Sequence, residues 1–244
     1  MYKRQGQLTA EGANFKVIEF HGDTIRNLAT SGRLVLCNMS VEAGATGGVV
    51  PPDEETRRYL RDEAGVGDEL DVFAPDADAV YDRVVEIDVS KLDPQIACPH
   101  TVDNVKPIGG VKGRKIDQIV VGSCTNGRLD DIEIVARTLK GKQVADGTRM
   151  LVFPASWRIY SYALNAGYLS DLIAAGAVVC NPGCGPCLGI HQGALGDNET
   201  ALATTNRNFK GRMGNPGADV FLCSPLVAAT SALTGVISDP REVN

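Results

Sequence analysis

Cys184 and Cys187 stand three positions apart in Asn181-Pro-Gly-Cys-Gly-Pro-Cys-Leu-Gly189, a Gly/Pro-rich turn that follows the apolar run Ala177–Cys180. Such a turn exposes backbone N–H groups and lets two sulfurs converge on a metal, a cluster or a disulfide. A third thiol, Cys124, lies in Gly122-Ser-Cys-Thr-Asn-Gly-Arg128, another strand-to-helix turn. Three thiolates from two turns suit an iron–sulfur cluster that keeps one iron without a protein ligand, open to act as a Lewis acid. Two other chemistries fit the same residues. His191 would complete a Cys3His zinc site, since Cys-x2-Cys-x3-His spacing permits it. Cys184 and Cys187 alone would make a redox dithiol, although Gly183 occupies the place where a thioredoxin-like motif carries a tryptophan.

Two further groups of residues could handle a substrate. In Thr204-Thr-Asn-Arg-Asn-Phe-Lys-Gly-Arg-Met-Gly214, Arg207 and Arg212 bracket a glycine-containing loop that begins with Asn206. Guanidinium forks match carboxylates and phosphates because they donate two parallel bonds. The plain alternative is a solvated basic loop. In Cys37-Asn-Met-Ser-Val-Glu-Ala-Gly-Ala45, a helical reading puts Asn38 and Glu42 on one face, four residues apart. A carboxylate there could bond a hydroxyl or a metal-bound water, and the plain alternative is a cap or an exposed polar face. His21, His100 and His191 lie in turns and read as structural or exposed. Cys37, Cys98, Cys180 and Cys223 read as small buried hydrophobes.

The chain has 244 residues, is 43% hydrophobic and 22% charged, and carries a formal net charge of −6. Its length permits one large or two modest domains with a real core. The negative balance argues against a general nucleic-acid or anionic-membrane surface. No apolar run approaches the roughly 20 residues that span a bilayer, and the polar start shows no secretory pattern. Seven cysteines without a disulfide-framework spacing suit a reducing compartment, so the cytoplasm is expected.

The elements that must position these residues read as follows. Lys16–Phe20 is a short strand, and Asp23–Leu28 starts a capped helix that Gly32 interrupts. Ser31 is a plausible N-cap of a helix through Ala45, with a strand over Arg33–Cys37 as the competing assignment. Pro51-Pro52 breaks the chain before a helix from Asp53 to about Glu63. Asp76–Asp82 is acidic and exposed. Tyr81–Val89 alternates like an edge strand. Lys91–Arg114 is rich in Pro, Gly and Asp and marks a domain boundary. Beyond it, strands at Gln118–Val121, Arg149–Phe153, Ala177–Cys180, Thr200–Thr205 and Val220–Leu222 alternate with helices at Leu129–Leu139, Arg158–Ala174 and Pro225–Leu233. That alternation predicts a mostly parallel α/β sheet covered on both faces. Functional groups then belong at the carboxyl ends of strands, where Cys124, Cys184 and Asn206-Arg207 all fall.

Taken together, four stretches resemble the aconitase superfamily, in the family's order: Cys37–Ala45, Gly122–Arg128, Asn181–Gly189 and Asn206–Asn215. The resemblance runs from about Phe15 onward. It implies three-layer α/β/α domains and a [4Fe-4S] cluster held by Cys124, Cys184 and Cys187. It also implies Asn38 and Glu42 near the open iron and its water, and substrate carboxylates held by Asn206, Arg207 and Arg212. Gly211-Arg-Met-Gly-Asn-Pro216 is most similar to the branch of 3-isopropylmalate dehydratase large subunits. That branch implies a two-subunit hydro-lyase of leucine biosynthesis, isomerising a hydroxy-dicarboxylate by removing and re-adding water. The partner would be a small subunit with the swivelling domain, which supplies the base. Homoaconitase, dimethylmalate dehydratase and aconitase itself are the neighbouring possibilities. Family large subunits carry a preceding domain that nothing here matches. Residues 6–95 are therefore expected to be a partial second domain and 96–244 the third, in a fragment inactive alone. Met1-Tyr-Lys-Arg-Gln5, which ATG-TAT-AAG-AGA-CAG can encode, is expected to be an extraneous start resembling a transposon end.

Overall fold

The computed structural model describes residues 1–67 and 73–243, so residues 68–72 of the expected partial second domain and residue 244 lie outside the description. The chain divides into two compact units, Glu11–Lys91 with Met1, and Tyr2–Ala10 with Leu92–Asn244. The helix Tyr2–Leu8 (α1) belongs to the second unit, with Tyr2, Arg4, Gln5 and Leu8 buried.

The first unit pairs two short parallel strands, Val17–Glu19 (β1) and Gly47–Val49 (β2). Between them lie helices Asp23–Arg26 (α2) and Thr30–Asn38 (α3), then a 3-10 turn at Val41–Ala43, and Glu54–Asp62 (α4) follows β2. Asp53 caps α4 by accepting from the Thr56 amide at 3.2 Å, and Glu54 and Glu55 occupy its first turn, where negative charge suits the helix dipole. Ser31 does not cap α3. That role falls to Glu55, whose Oε1 accepts from the Thr30 amide and hydroxyl at 2.8 and 3.0 Å. The buried Arg33 fastens these pieces together. Its guanidinium grips both oxygens of Asp53 at 2.6 and 2.8 Å and also donates to the carbonyls of Leu28 and Arg26, each at 2.9 Å. The hydrogen bond from Arg33 holds the Asp53 carboxyl below its ordinary range.

Three further expectations fail in this unit. Gly32 interrupts no helix: α2 ends at Arg26, and Gly32 lies inside α3. The helix does not run on to Ala45: it stops at Asn38, and Gly44, at φ 81°, turns the chain back into β2. Close packing explains the break. A Cβ on Gly48 would lie 2.9 Å from the Cys37 Cα, so α3 and β2 touch backbone to backbone. Tyr81–Val89 is not a strand, and Val84, Val85 and Val89 are exposed. Alternation alone does not make a strand when neither ladder nor covering layer is supplied.

The second unit is built on a seven-stranded sheet. Its strands are Gln95–Ala97 (β3), Val105–Pro107 (β4), Gln118–Gly122 (β5), Arg149–Phe153 (β6), Val178–Val179 (β7), Thr200–Ala203 (β8) and Asp219–Leu222 (β9). The spatial order is β4-β3-β9-β8-β5-β6-β7; the run from β9 to β7 is parallel, and β3 and β4 add an antiparallel edge. That edge lies inside the stretch that the sequence marks as a boundary, because Pro and Asp there disguise two three-residue strands. The helices are Ser123–Asn126 (α5), Leu129–Leu139 (α6), Trp157–Asn165 (α7), Tyr168–Ala174 (α8) and Pro225–Thr234 (α9). Gly167, at φ 80°, separates α7 from α8.

Buried Ile119, Val121, Met150, Val152 and Leu202 of the strands pack with Ile132, Val135, Leu139, Leu172 and Val227 of α6, α8 and α9 in one core. Each such side chain contributes ~1.5–3 kcal/mol on burial. The helices that follow β5 and β6, α6 and α8, pack side by side on one face, where α9 joins them. The return steps to β8 and β9 send residues 180–199 and 204–218 over the opposite face. There Gln118 Nε2 donates to the Gly193 carbonyl at 2.6 Å, and the Leu195 amide donates to the Met213 carbonyl at 2.9 Å. Two of the stretches singled out from the sequence, Asn181–Gly189 and Asn206–Asn215, thus lie in the irregular cover of this sheet.

Candidate functional site

The sheet changes direction between β5 and β8: chain order runs outward from β5 to β7, then restarts at β8 on the other side. The crevice outside the carboxyl ends at such a switch point is where open α/β sheets bind ligands. Cys124 follows β5, Cys184 and Cys187 follow β7, and Asn206 follows β8.

Both cysteine turns bear on one residue, Phe153, at the end of β6. Gly122 leaves β5 at φ 118°, and a Cβ there would lie 2.0 Å from the Phe153 carbonyl oxygen. A Cβ on Gly127, at the other end of that turn, would fall 2.8 Å from the same oxygen. In the second turn, Gly185 has φ 53°, and its Cβ would meet the Phe153 ring at 2.6 Å. Only glycine fits at these three positions, which accounts for the spacing of glycines around the thiols.

Thr204 couples the first turn to the third stretch. Its hydroxyl accepts from the Gly122 amide at 2.9 Å, and its carbonyl accepts from Asn126 Nδ2 at 2.7 Å. Two residues further, Asn206 is buried, and its Oδ1 accepts from the Cys187 thiol at 3.5 Å. Arg212 Nη2 donates to the same sulfur at 3.6 Å, while its guanidinium lies over the Phe209 ring at 5.1 Å. The structure therefore brings Cys187, Asn206 and Arg212 into direct contact. Arg207 is half-buried on the same loop. Cys124 and Cys184 are exposed thiols and Cys187 is buried; none of the seven cysteines is in a disulfide. Asn38 and Glu42 belong to the first unit, Asn38 ending α3 and Glu42 in the 3-10 turn, both half-buried.

Among the described residues, no three His, Cys, Asp or Glu side chains gather closely enough to share one metal ion. The Cys3His arrangement with His191, which is exposed, is thus not assembled. A [4Fe-4S] cube asks something different of its ligands, because each thiolate binds its own iron and the sulfurs line a hollow. The donor set fits that group in kind. It offers three thiols outside any disulfide, in turns braced on one residue, at the switch-point edge. The buried hydroxyls of Ser123 and Thr205, beside Cys124 and Asn206, have no hydrogen-bond partner among the described residues. The other cysteines behave as packing residues: burial pushes the thiols of Cys98, Cys180 and Cys223 up, and Cys37 is half-buried.

Sequence reasoning missed Phe153, Thr204, Ser123 and Thr205. It also missed Asp131, which caps α6 just beyond the Cys124 turn by accepting from the Arg128 amide at 3.0 Å. Burial raises the Asp131 carboxyl to about 7, and the neighbouring charge of Asp130 adds to the rise. Gly122 and Gly127 were the available signal for Phe153, since paired glycines mark close backbone approach.

Residues 2–114 and 109–235 match the aconitase family (aconitate hydratase). Among similar curated proteins, 3-isopropylmalate dehydratase large subunit 2 of Archaeoglobus fulgidus is 50% identical over 237 residues, which is 97% of this chain and 57% of that protein. The 3-isopropylmalate dehydratase large subunit of Elusimicrobium minutum is 51% identical over 98% of this chain and 57% of its own length. A probable methanogen homoaconitase large subunit from Methanothermobacter thermautotrophicus is 48% identical over 97% of this chain and 55% of its own length. The chain thus spans a little over half the length of these relatives.

Proposed function

This chain belongs to the aconitase family, and from that premise we propose that it carries the cluster-binding part of a hydro-lyase large subunit of the 3-isopropylmalate dehydratase type. The reaction is the conversion of 2-isopropylmalate to 3-isopropylmalate by loss and return of water, within leucine biosynthesis. The observation that carries this reading is the meeting of Cys187, Asn206 and Arg212 at 3.5 and 3.6 Å on the edge that also bears Cys124. Cys124, Cys184 and Cys187 would hold a [4Fe-4S] cluster, which supplies Lewis acidity that makes hydroxide a better leaving group.

The chain's own groups do the rest. Arg207 and Arg212 present guanidinium forks to the substrate's carboxylates, and this fixes which carbon faces the reacting edge. Arg212 is pre-positioned by the Phe209 ring beneath it. The Asn206 amide orients Cys187 and can turn its N–H groups toward an anionic oxygen. We assign Asn38 and Glu42 to the water and hydroxyl side of the reaction, with Glu42 as hydrogen-bond acceptor. The proton is taken by a base on a small-subunit partner, so this chain alone is expected to be inactive. A cytoplasmic setting fits seven cysteines outside any disulfide.

The test is anaerobic reconstitution of the chain with iron and sulfide, followed by counting both and assaying 2-isopropylmalate isomerisation with and without a small subunit. Bound iron and sulfide in near-equal number, with turnover only when the partner is present, is the expected result. A tight zinc complex without sulfide would overturn it. The homoaconitase branch remains the second reading because a homoaconitase large subunit is 48% identical to the chain; homoaconitate in the same assay separates the two.

A further inference from the structure

Six buried side-chain polar atoms lack a hydrogen-bond partner among the described residues, and five of them sit on the two stretches after β5 and β8: Ser123 Oγ, Arg128 Nε, Thr205 Oγ1, Asn208 Oδ1 and Arg212 Nε. Unpaired buried polar groups are rare and each costs folding free energy, so their concentration on one edge calls for an acceptor or donor that arrives later.

Ser123 and Thr205 are the pair of interest. Both are almost wholly buried, at 1% and 0% exposure. Ser123 immediately precedes Cys124, and Thr205 immediately precedes Asn206, the partner of Cys187. Thr204 ties their two turns together through Gly122 and Asn126. Other buried hydroxyls of this unit are used internally: Thr230 donates to the Leu226 carbonyl at 2.8 Å, and Ser231 accepts from the Ser238 amide at 3.0 Å. Ser123 is also held at φ 64°, a strained conformation for a residue with a Cβ, and such strain gathers at functional sites. Alanine and valine would fill the same space without leaving a hydroxyl unpaired.

We propose that the Ser123 and Thr205 hydroxyls donate hydrogen bonds to sulfur atoms of the bound cluster, as positioning groups that set its reduction potential. This rests on the cluster assignment to Cys124, Cys184 and Cys187. Thiolate and sulfide sulfurs are anionic acceptors, and a hydroxyl turns freely toward them. A donor to sulfur stabilises the reduced, more negative state more than the oxidised one, so it raises the potential.

The test uses the full 244-residue chain, reconstituted anaerobically with iron and sulfide. Electron-nuclear double resonance on the reduced cluster, in H2O and in D2O, reads exchangeable protons near sulfur; a redox titration reads the potential. Exchangeable couplings in the wild-type chain are expected, with one lost in Ser123→Ala and another in Thr205→Val, and recovery in Thr205→Ser. At fixed potential, each loss is expected to shift the oxidised-to-reduced ratio about tenfold toward the oxidised form, 59 mV for a one-electron couple. Loaded variants with unchanged couplings and potential would overturn this inference and leave the cluster assignment standing. So would a loaded wild-type chain without exchangeable couplings, whatever the variants do. A wild-type chain that takes up no iron and sulfide would overturn both.

Discussion

Asp131 offers a prediction whose sign and size both come from the structure. Its carboxyl caps α6 through the Arg128 amide, yet burial and the adjacent Asp130 raise it to about 7 from an ordinary 3.8. In the unfolded chain it titrates near ~4. Between those values the folded state holds a proton that the unfolded state has released. Stability from this residue is therefore fully present below about pH 4 and is lost as pH rises through about 7. Three units correspond to about 4 kcal/mol, and the partial exposure of the residue trims this to ~2–4 kcal/mol. Asp131→Asn keeps an oxygen for the Arg128 amide and removes the titration. Urea unfolding of wild type and variant, followed by circular dichroism at pH 5 and pH 8, isolates the effect, because other titrating groups cancel in the difference. Glu55 and Asp239, each held at about 2 by hydrogen bonds from Arg58 and Arg241, work in the opposite direction and only in acid. The variant should exceed wild type by ~1 kcal/mol at pH 5 and by ~2–4 kcal/mol at pH 8. A difference independent of pH, or a variant less stable at pH 8, would refute the reasoning.

Gly122→Ala should destabilise the chain by ~3 kcal/mol or more in a denaturant titration, because its Cβ would meet the Phe153 carbonyl at 2.0 Å on backbone already at φ 118°. Arg33→Lys should cost ~3 kcal/mol in the same measurement, since an ammonium cannot reproduce the two-point grip on Asp53; wild-type stability would show the fork to be dispensable. Arg212→Lys, assayed with the small subunit present, should raise KM for the dicarboxylate about tenfold to a hundredfold by losing one charge-assisted bond, and an unchanged KM would remove Arg212 from the substrate's carboxylate.

What could be read from residues alone divides along physical lines. The helix at Leu129–Leu139 and the strand at Arg149–Phe153 match the expected bounds, and the Gln118 strand extends one residue beyond its expected end. In these segments local periodicity and tertiary burial agree. The Tyr81–Val89 alternation misled because a strand is a property of its neighbours as much as of its own pattern. Asn38 and Glu42 were placed on one helical face by counting residues, but the helix ends where Gly48 presses against Cys37 and Ser40, a contact from beyond that segment. Glu55 capping α3 from 25 positions away is the same kind of information. The motif residues were legible because thiols, guanidinium groups and glycines announce their chemistry. Their supports were not: Phe153 and Thr204 are ordinary residues made important by what is folded against them.

The edge that bears the thiols illustrates how such a site is held. Irregular loops usually move more than the elements they join. Here each loop is fixed at its root. The Cys124 turn is fixed by two glycines on the Phe153 carbonyl and by Thr204, the Cys184/Cys187 turn by Gly185 on the Phe153 ring, and the arginine loop by Leu195 and Met213. Among the described residues, buried atoms without a partner lie on these same stretches, on Ser123, Arg128, Thr205, Asn208 and Arg212. Rigid roots and unsatisfied polar groups are what a preorganised ligand site requires, since the ordering cost is met in folding and the unpaired groups gain their partners only when the ligand arrives.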